Sequence, residues 1–344
     1  MHINIIYADE KNFPTLTRSH TEPNNFSLSN VRKTFGGPYT TIYNIVDGFC
    51  QLGLNISIND RNTELFDINL MLYLPGHNWR SSWCKKFLLA NNRDINRFYL
   101  HPLVEVRQIL EQLQEDKDTN AINNLIFNCN RACFLAESPK QYFRLLKFKG
   151  KLVKRIELAP VGFSSKLVPS EPYWKRGKTT VLIKDHNSYD VEVRSQHLCD
   201  MLDDYQIPYQ KFNRYGSVTF EYKQWIQHLN KSKMLIAWDV EETHGHTLHE
   251  AKALDVPIFT TTPNGMNYFS SECGVVTNEN ELYSGFEDFI KKINQRAFSP
   301  RQWMLDNEMD NISSCKNLIN LFNNKPSRYN KWLNGVTIGN SENS

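Results

Sequence analysis

The chain has 344 residues, of which 40% are hydrophobic and 22% are charged. Because a single core stops growing at about 250 to 300 residues, this length predicts two domains, and the composition excludes an intrinsically disordered protein. The 40 basic residues nearly balance the 37 acidic ones. No block of Lys and Arg is long enough to indicate a nucleic-acid-binding stripe, so we expect no nucleic-acid partner.

Cysteines and apolar runs indicate the compartment. The seven cysteines are scattered without a Cys-x-x-Cys pair, which is typical of thiols in a reducing compartment. No apolar run reaches the ~20 residues of a spanning helix, and residues 1–10 lack the pattern of a signal peptide. We therefore expect a cytoplasmic protein. The most basic local patch, Lys147 to Arg155, leaves peripheral contact with a membrane open.

The first half of the chain alternates predicted strands with predicted helices, which favours a parallel sheet covered by helices on both faces. Residues 8–35 are long, polar and interrupted by prolines, so we interpret them as a functional loop. The predicted strands are 3–7, 54–58, 68–74, 98–100 and 155–158, and the predicted helices are 38–52, 79–90, 104–114 and 138–148.

Two features of this half are candidates for ligand contact. Gly36 and Gly37 precede a predicted helix whose first turn holds Pro38, and paired glycines let the backbone approach a ligand closely. An ordinary turn before a helix is the alternative. His101 follows the predicted strand 98–100, and ligands of open α/β sheets bind at the carboxyl ends of strands. A lone histidine is more often structural.

The second half repeats the alternation after residues 165–178, whose prolines and charges are typical of a linker between domains. Residues 301–323 are predicted as one or two helices, and residues 324–344 as a polar tail. The predicted strands of this half are 180–183, 209–212, 234–238, 256–260 and 274–276, and its other helices are 193–205, 219–229 and 281–294.

Two carboxylates flank the start of a predicted helix in this half. Glu242 precedes Gly245, and Glu250 follows it by five positions. If a helix begins near His246 or Thr247, its N–H groups and dipole favour an anion such as phosphate. Glu242 would then lie in the loop and Glu250 one turn inside the helix. This arrangement suits a ligand that carries both phosphates and hydroxyls.

Taken together, these features resemble glycosyltransferase family 4, whose members are retaining nucleotide-sugar glycosyltransferases with the GT-B fold. The family signature has two Glu separated by seven positions, then Ala and an apolar strand that starts with Pro, as in residues 242–257 here. The pair Gly36 and Gly37, His101, and residues 159–163 follow the family's other landmarks in the same order.

The resemblance implies an α/β fold with two Rossmann-like domains facing across a cleft and a C-terminal helix crossing back to the first domain. The corresponding boundaries are 1–164 for the acceptor-side domain, 165–305 for the nucleotide-sugar-binding domain, 306–323 for the helix and 324–344 for the tail.

The resemblance also implies the substrates and the roles of residues. A UDP- or GDP-linked sugar is the donor, a glycan, glycolipid or protein is the acceptor, and neither a cofactor nor a metal is needed. Glu242 and His101 would contact the donor sugar, Lys184 the diphosphate and Glu250 the ribose. The implied catalytic residues are His101, Glu242 and Lys184, and the implied donor-binding residues are Gly36, Gly37, Gly245, His246, Thr247, Leu248 and Glu250.

The sequence departs from the family pattern at two places. The family has an Arg after the first strand of the second domain and a Lys a few positions later, whereas this chain has Lys184 and Tyr189. The signature's Gly-Phe-Gly is replaced by His244, Gly245 and His246. These changes leave open a catalytically weakened nucleotide-sugar-binding or glycan-binding protein.

Two further alternatives are less well supported. A Rossmann-type oxidoreductase would need a Gly-x-Gly-x-x-Gly directly after the first strand, which Gly36 and Gly37 do not provide. His246 and His249 could share one helix face and bind a metal, but no acidic ligand pattern accompanies them, so we expect no metal site.

Overall fold

The computed structural model describes residues 1–6, 16–17, 37–58, 60, 65–73, 98–102, 133–146, 155–183, 189–213, 222–237, 245–260 and 268–335. Within these ranges the chain forms two compact units. The first comprises Met1–Ser27, Ile45–Val161 and Ile312–Ser344, and the second comprises Leu28–Asn44 and Gly162–Asn311.

Strands and helices alternate along both halves of the chain. The described strands are β1 (His2–Ile6), β2 (Leu16–Thr17), β3 (Asn55–Ile58), β4 (Ile68–Tyr73), β5 (Phe98–Pro102), β6 (Cys133–Ala136), β7 (Arg155–Leu158), β8 (Lys178–Ile183), β9 (Tyr209–Asn213), β10 (Ser232–Ala237), β11 (Ile258–Thr260) and β12 (Gly274–Val276). The described α-helices are α1 (Gly37–Gln51), α2 (Pro139–Leu146), α3 (Tyr189–Asp204), α4 (Tyr222–Leu229), α5 (His246–Ala253), α6 (Leu282–Asn294), α7 (Pro300–Asp306) and α8 (Asn311–Phe322).

The first unit is built on a sheet whose described strands run in the order β2-β3-β1-β4-β5-β6-β7. All neighbouring pairs are parallel except β2 with β3. The chain passes from β1 to β3 on one side and then to β4 on the other, so the winding direction reverses between β1 and β4. The parallel sheet confirms the prediction for this half, and β6 is apolar because both of its faces are buried.

The start of helix α2 in this unit has the cap that the sequence predicts. Ser138 Oγ accepts a hydrogen bond of 3.2 Å from Gln141 N, and Pro139 is the first residue of α2. This is the predicted N-cap followed by Pro at the first helical position.

The C-terminal helix α8 supplies part of the first unit's core. The ring of Phe322 lies 4.6 Å from that of Tyr99 and 6.4 Å from that of Phe49, measured between centroids. Tyr99 Oη donates to the carbonyl oxygen of Leu321 at 3.3 Å. Residues from Ile312 onward therefore fold with the first unit although they follow the second unit in sequence.

The second unit has a parallel sheet whose described strands run in the order β12-β11-β10-β8-β9. Its winding direction reverses between β8 and β10. The core beside this sheet includes Val181, Ile236, Phe259, Phe286 and Phe289 among its buried members. Both units are thus Rossmann-like, as the sequence alternation predicts.

The chain enters and leaves the second unit through paired segments. Phe163 N donates to Met309 O at 2.9 Å, and Asn311 N donates to Phe163 O at 2.8 Å. A side chain at Gly162 would overlap the backbone carbonyl of Asp310. Glycine is required at this position because two backbones touch there.

Three predictions about extended and polar segments were wrong. The predicted linker 165–178 is part of the second unit: Tyr173, in a 3-10 turn at Tyr173–Lys175, is fully buried in its core. The predicted polar tail contains a 3-10 helix at Arg328–Gly335, where Tyr329 is buried. Helix α3 begins at Tyr189 rather than Val193, because a polar first turn with an acidic residue suits a helix N-terminus.

Several sequence-predicted segments lie outside the described residues. They are the polar segment except Leu16–Thr17, the helices 79–90 and 104–114, the basic patch between residues 147 and 154, and the candidates Gly36, Lys184 and Glu242. Among the helices that are described, none is long and apolar enough to cross a membrane.

Candidate functional site

Two residues that the sequence predicts to bind a ligand follow neighbouring strands of the second unit's sheet in the sequence. Strands β8 and β10 are parallel neighbours with Leu182 opposite Ala237, so their carboxyl ends lie side by side. Lys184 follows β8 directly in the sequence, and Glu242 follows β10 by five residues. In open α/β sheets the ligand binds where the winding direction reverses, which in this unit is between these two strands.

Helix α5 begins where the sequence predicts it, at His246. Gly245 precedes the helix with a φ of 71°, in the left-handed region, which glycine adopts without strain. Its carbonyl oxygen accepts hydrogen bonds from Leu248 N at 2.9 Å and His249 N at 3.0 Å. A glycine cap offers no side-chain oxygen to the first N–H groups of α5.

The other end of α5 is held by two guanidinium groups. Arg176 Nη1 donates to Leu254 O at 2.9 Å, and Arg301 Nη1 donates to Ala253 O. Cations at a helix C-terminus are favourable because they oppose the dipole. Burial lowers the pKa of both arginines, but the guanidinium stays charged at physiological pH. The pair fixes the position of α5 in the unit.

Lys252 adds a buried cation on the same helix. Its side chain is fully buried, its Nζ donates to Tyr268 O at 2.5 Å, and it lies 5.2 Å from the centroid of the Trp303 ring. Burial lowers the pKa of this ammonium from 10.5 to about 8. Lys252 therefore links α5 to α7. Burial of its charge lowers the free energy of unfolding by an amount that depends on pH.

Glu250 lies one turn inside α5, as predicted, and is 4% exposed. Trp225 Nε1, from α4, donates a hydrogen bond of 2.8 Å to Glu250 Oε2. Trp225 is fully buried, and its ring lies 4.7 Å from that of Phe212 on β9. The carboxylate is thus held by an indole that is itself fixed in the core.

His246, the first residue of α5, contacts the beginning of α1. Its Nε2 lies 2.9 Å from Thr41 Oγ1 in a side-chain hydrogen bond. Thr41 is the fifth residue of α1 and belongs to the second unit together with the rest of Leu28–Asn44. The bond brings the starts of the two helices within about two turns of each other, because four residues of helix span about 6 Å.

The third histidine candidate, His249, faces the interior. It is 5% exposed, and its ring meets that of Tyr268 edge-on at 6.0 Å between centroids. Within the described ranges, no group of three or more His, Cys, Asp or Glu side chains is placed to hold a metal ion. His246 and His249 thus make different contacts, one with Thr41 and one with Tyr268.

Two candidates from the first half of the chain lie at the ends of elements. His101 is the next-to-last residue of β5, opposite Leu72 of β4, so it lies at the carboxyl edge of the first sheet, as predicted. Gly37 is the first residue of α1. Of the remaining donor-binding candidates, Thr247 and Leu248 are buried in the first turn of α5.

Sequence reasoning missed Thr41 and Trp225. A Thr in the second turn of a helix and a Trp on an apolar helix face both have ordinary structural explanations. Their partners are 205 and 25 positions away, and no local pattern connects residues across such distances.

Comparisons with known proteins establish the fold. No protein-family model matches the sequence, and no curated protein matches it. Sucrose-phosphate synthase from Thermosynechococcus elongatus is a similar solved structure, with a TM-score of 0.57 and 10% identity over 94% of this chain and 98% of that one. The fold is GT-B.

Two further structures share this GT-B fold. HepE of Anabaena, solved in complex with UDP-glucose, has a TM-score of 0.51 and 10% identity, covering 94% of this chain and 100% of that chain. A putative UDP-N-acetylglucosamine 2-epimerase from Listeria monocytogenes has a TM-score of 0.51 and 9% identity, covering 94% and 97%. At such identities the likeness concerns the fold alone.

Proposed function

We propose that this chain is a glycosyltransferase that moves a sugar from a UDP- or GDP-linked donor to a glycan, lipid or protein acceptor, with retention of the anomeric configuration. The observation that carries the proposal is the Thr41–His246 hydrogen bond, which brings the starts of α1 and α5 together. Two helix N-termini within about two turns of each other favour a group with several negative charges, and a diphosphate is such a group.

Glu250 is an argument for the nucleotide part of the proposed donor. Glu250 is buried one turn inside α5, and a carboxylate is an acceptor that suits vicinal hydroxyls. Acidic residues hold ribose hydroxyls in the same way in dinucleotide-binding folds. We assign Glu250 to the ribose and the first turn of α5, Gly245 to Leu248, to the diphosphate.

In the proposed reaction the bond between the anomeric carbon and the diphosphate oxygen breaks, and the acceptor hydroxyl forms a new bond to that carbon from the same face. The proton of the acceptor passes to the departing diphosphate. Catalysis then rests on stabilising the charge that grows on the leaving group. Lys184 and the N–H groups at Gly36 and Gly37 would share this task with α5, while Glu242 and His101 would hold the donor sugar.

The GT-B fold also occurs in a putative 2-epimerase, and Tyr189 stands at the start of α3 where family 4 has a cation. The test must therefore separate transfer, epimerisation and binding without turnover. We would incubate the purified protein with UDP- and GDP-sugars, with and without a panel of glycan and lipid acceptors. We would then measure nucleoside diphosphate release and follow the sugar by NMR.

Transfer predicts release that depends on the acceptor and a product with the donor's anomeric configuration. A new sugar epimer without stoichiometric release would indicate an epimerase. Tight donor binding without any conversion would favour the weakened binding protein. Neither binding nor conversion with any donor would refute the assignment of a nucleotide-sugar site.

Glu250→Ala tests the assigned ribose contact. We expect the Kd for the donor to rise at least about tenfold, since a hydrogen bond to a charged group contributes about 1.5 to 3 kcal/mol. Calorimetry measures the change, and Glu272→Ala, which removes an exposed carboxylate of the same unit, serves as the control. Equal affinities for Glu250→Ala and wild type would exclude this role for Glu250.

A further inference from the structure

A tryptophan and a carboxylate from different helices form a buried pair beside the proposed nucleotide site. Trp225 Nε1 donates to Glu250 Oε2 at 2.8 Å, and the two side chains are 0% and 4% exposed. A hydrogen bond to an ionised carboxylate is shorter and stronger than one between neutral groups. The pair therefore fixes the orientation of Glu250 more firmly than packing alone would.

The support behind this pair is rigid on both sides. The indole packs against Phe212 with 4.7 Å between ring centroids, and Trp225 is anchored in α4, which directly precedes β10. Arg176 and Arg301 hold the C-terminal end of α5, the helix that carries Glu250. Since the indole and the helix that carries Glu250 are both held in place, the carboxylate plane has little freedom to rotate.

The indole bond uses only part of the hydrogen-bond acceptor capacity of the Glu250 carboxylate. One oxygen, Oε2, receives the indole proton, and a carboxylate as a whole offers about four acceptor positions. The indole bond and a hydrogen bond from a ligand hydroxyl are therefore compatible at one carboxylate. A site whose acceptor is aimed in this way discriminates strongly against a ligand that lacks the hydroxyl.

We propose that Trp225 is a positioning residue that aims the Glu250 carboxylate at the ribose hydroxyls, so that the site selects ribonucleoside over deoxyribonucleoside diphosphates. The inference rests on the proposed function, because it assumes that Glu250 meets the nucleotide. If the Trp225–Glu250 bond served only the core, its loss would lower stability without changing the preference for ribose.

The test compares UDP and GDP with their 2′-deoxy and 3′-deoxy counterparts by calorimetry, in the wild type and in Trp225→Phe. The substitution keeps an aromatic ring and removes the N–H donor. We expect the wild type to bind the ribonucleotide at least about tenfold more tightly than a deoxy form. In Trp225→Phe the preference should fall to within about threefold, with the affinity for the deoxy form nearly unchanged.

The matched control is Trp303→Phe, which replaces another buried tryptophan of the same unit, one whose ring faces Lys252, and it should keep the wild-type preference. If Trp225→Phe does not fold, as judged by circular dichroism, Phe212→Leu takes its place. It loosens the indole without removing its N–H, and we expect a smaller loss of preference, about threefold.

The outcomes separate the two claims. A wild type that binds no nucleoside diphosphate overturns the proposed function. A wild type that prefers ribonucleotides, together with a folded Trp225→Phe or Phe212→Leu that prefers them equally, overturns the role of Trp225 and leaves the proposed function standing. A wild type that binds both forms equally also overturns the inference.

Discussion

At the scale of single residues, Lys252 makes stability depend on pH. Burial lowers the pKa of its ammonium from 10.5 to about 8, so the folded protein holds this proton less tightly than the unfolded chain does. The charged form opposes folding below pH 8, and this penalty disappears as the pH rises from about 8 to 10.5. The shift sets an upper bound of about 3 kcal/mol on the effect.

Lys252→Met should isolate this contribution. We expect the free energy of unfolding of the wild type, measured relative to Lys252→Met, to rise between pH 8 and pH 10. Urea denaturation at several pH values measures the difference, and other titrating groups cancel because both proteins share them. Parallel pH profiles would show that the ammonium is not destabilised by burial.

At the scale of elements, the contact between residues 162–163 and 309–311 strongly favours glycine at position 162. A Cβ at Gly162 would overlap the backbone of Asp310, which cannot move aside without breaking the hydrogen bonds of Phe163. We expect Gly162→Ala to destabilise the protein by about 1 to 3 kcal/mol.

Gly177→Ala is the matched control, because a Cβ at Gly177 meets nothing within 4 Å. Its stability should stay within about 0.5 kcal/mol of wild type. Thermal unfolding followed by circular dichroism compares the two variants. A Gly162→Ala protein that unfolds together with Gly177→Ala would mean that the two segments separate readily.

Local sequence pattern predicts the elements but not the long-range partners that tie them together. The strands of the second unit and the start of α5 follow from apolar periodicity and from Gly245. Residues 165–178 have the composition of a linker, yet Tyr173 fills the core and Arg176 holds the end of α5. Such a role is decided by groups far away in sequence, and composition does not encode it.

The same distinction between local pattern and long-range contact applies to the residues of the candidate site. Glu250 could be placed one turn inside a helix because the spacing from Gly245 determines it. Its partner Trp225 could not, because an indole on an apolar helix face is indistinguishable from an ordinary core residue. The polar tail was mispredicted for a related reason: Tyr329 is buried by the first unit's own elements, and its polar neighbours conceal this.

At the scale of the whole molecule, the first unit depends on the last part of the chain. Helix α8 supplies Phe322, which packs on Phe49 and Tyr99. A chain ending at Asp310 would leave these two rings without that cover. We expect it to unfold at a temperature at least several degrees lower than wild type and to bind a hydrophobic dye.

A chain ending at Gly335 is the control, since it keeps α8 and all the other described residues and removes only residues 336–344. It should unfold like the wild type. Calorimetry of the three proteins would show the effect, and an unchanged transition in the chain ending at Asp310 would mean that α8 contributes little to the first unit.

The bond between Tyr99 and Leu321 spans 222 positions of sequence, which has a consequence during synthesis. At about 5 to 20 residues per second, Tyr99 leaves the ribosome about 10 to 45 s before its partner. The long segment of the second unit, residues 162–311, emerges within that interval, and its other segment, residues 28–44, precedes Tyr99. The half of the protein that is translated first therefore finishes folding last, and until then its unfinished core is open to chaperones and proteases.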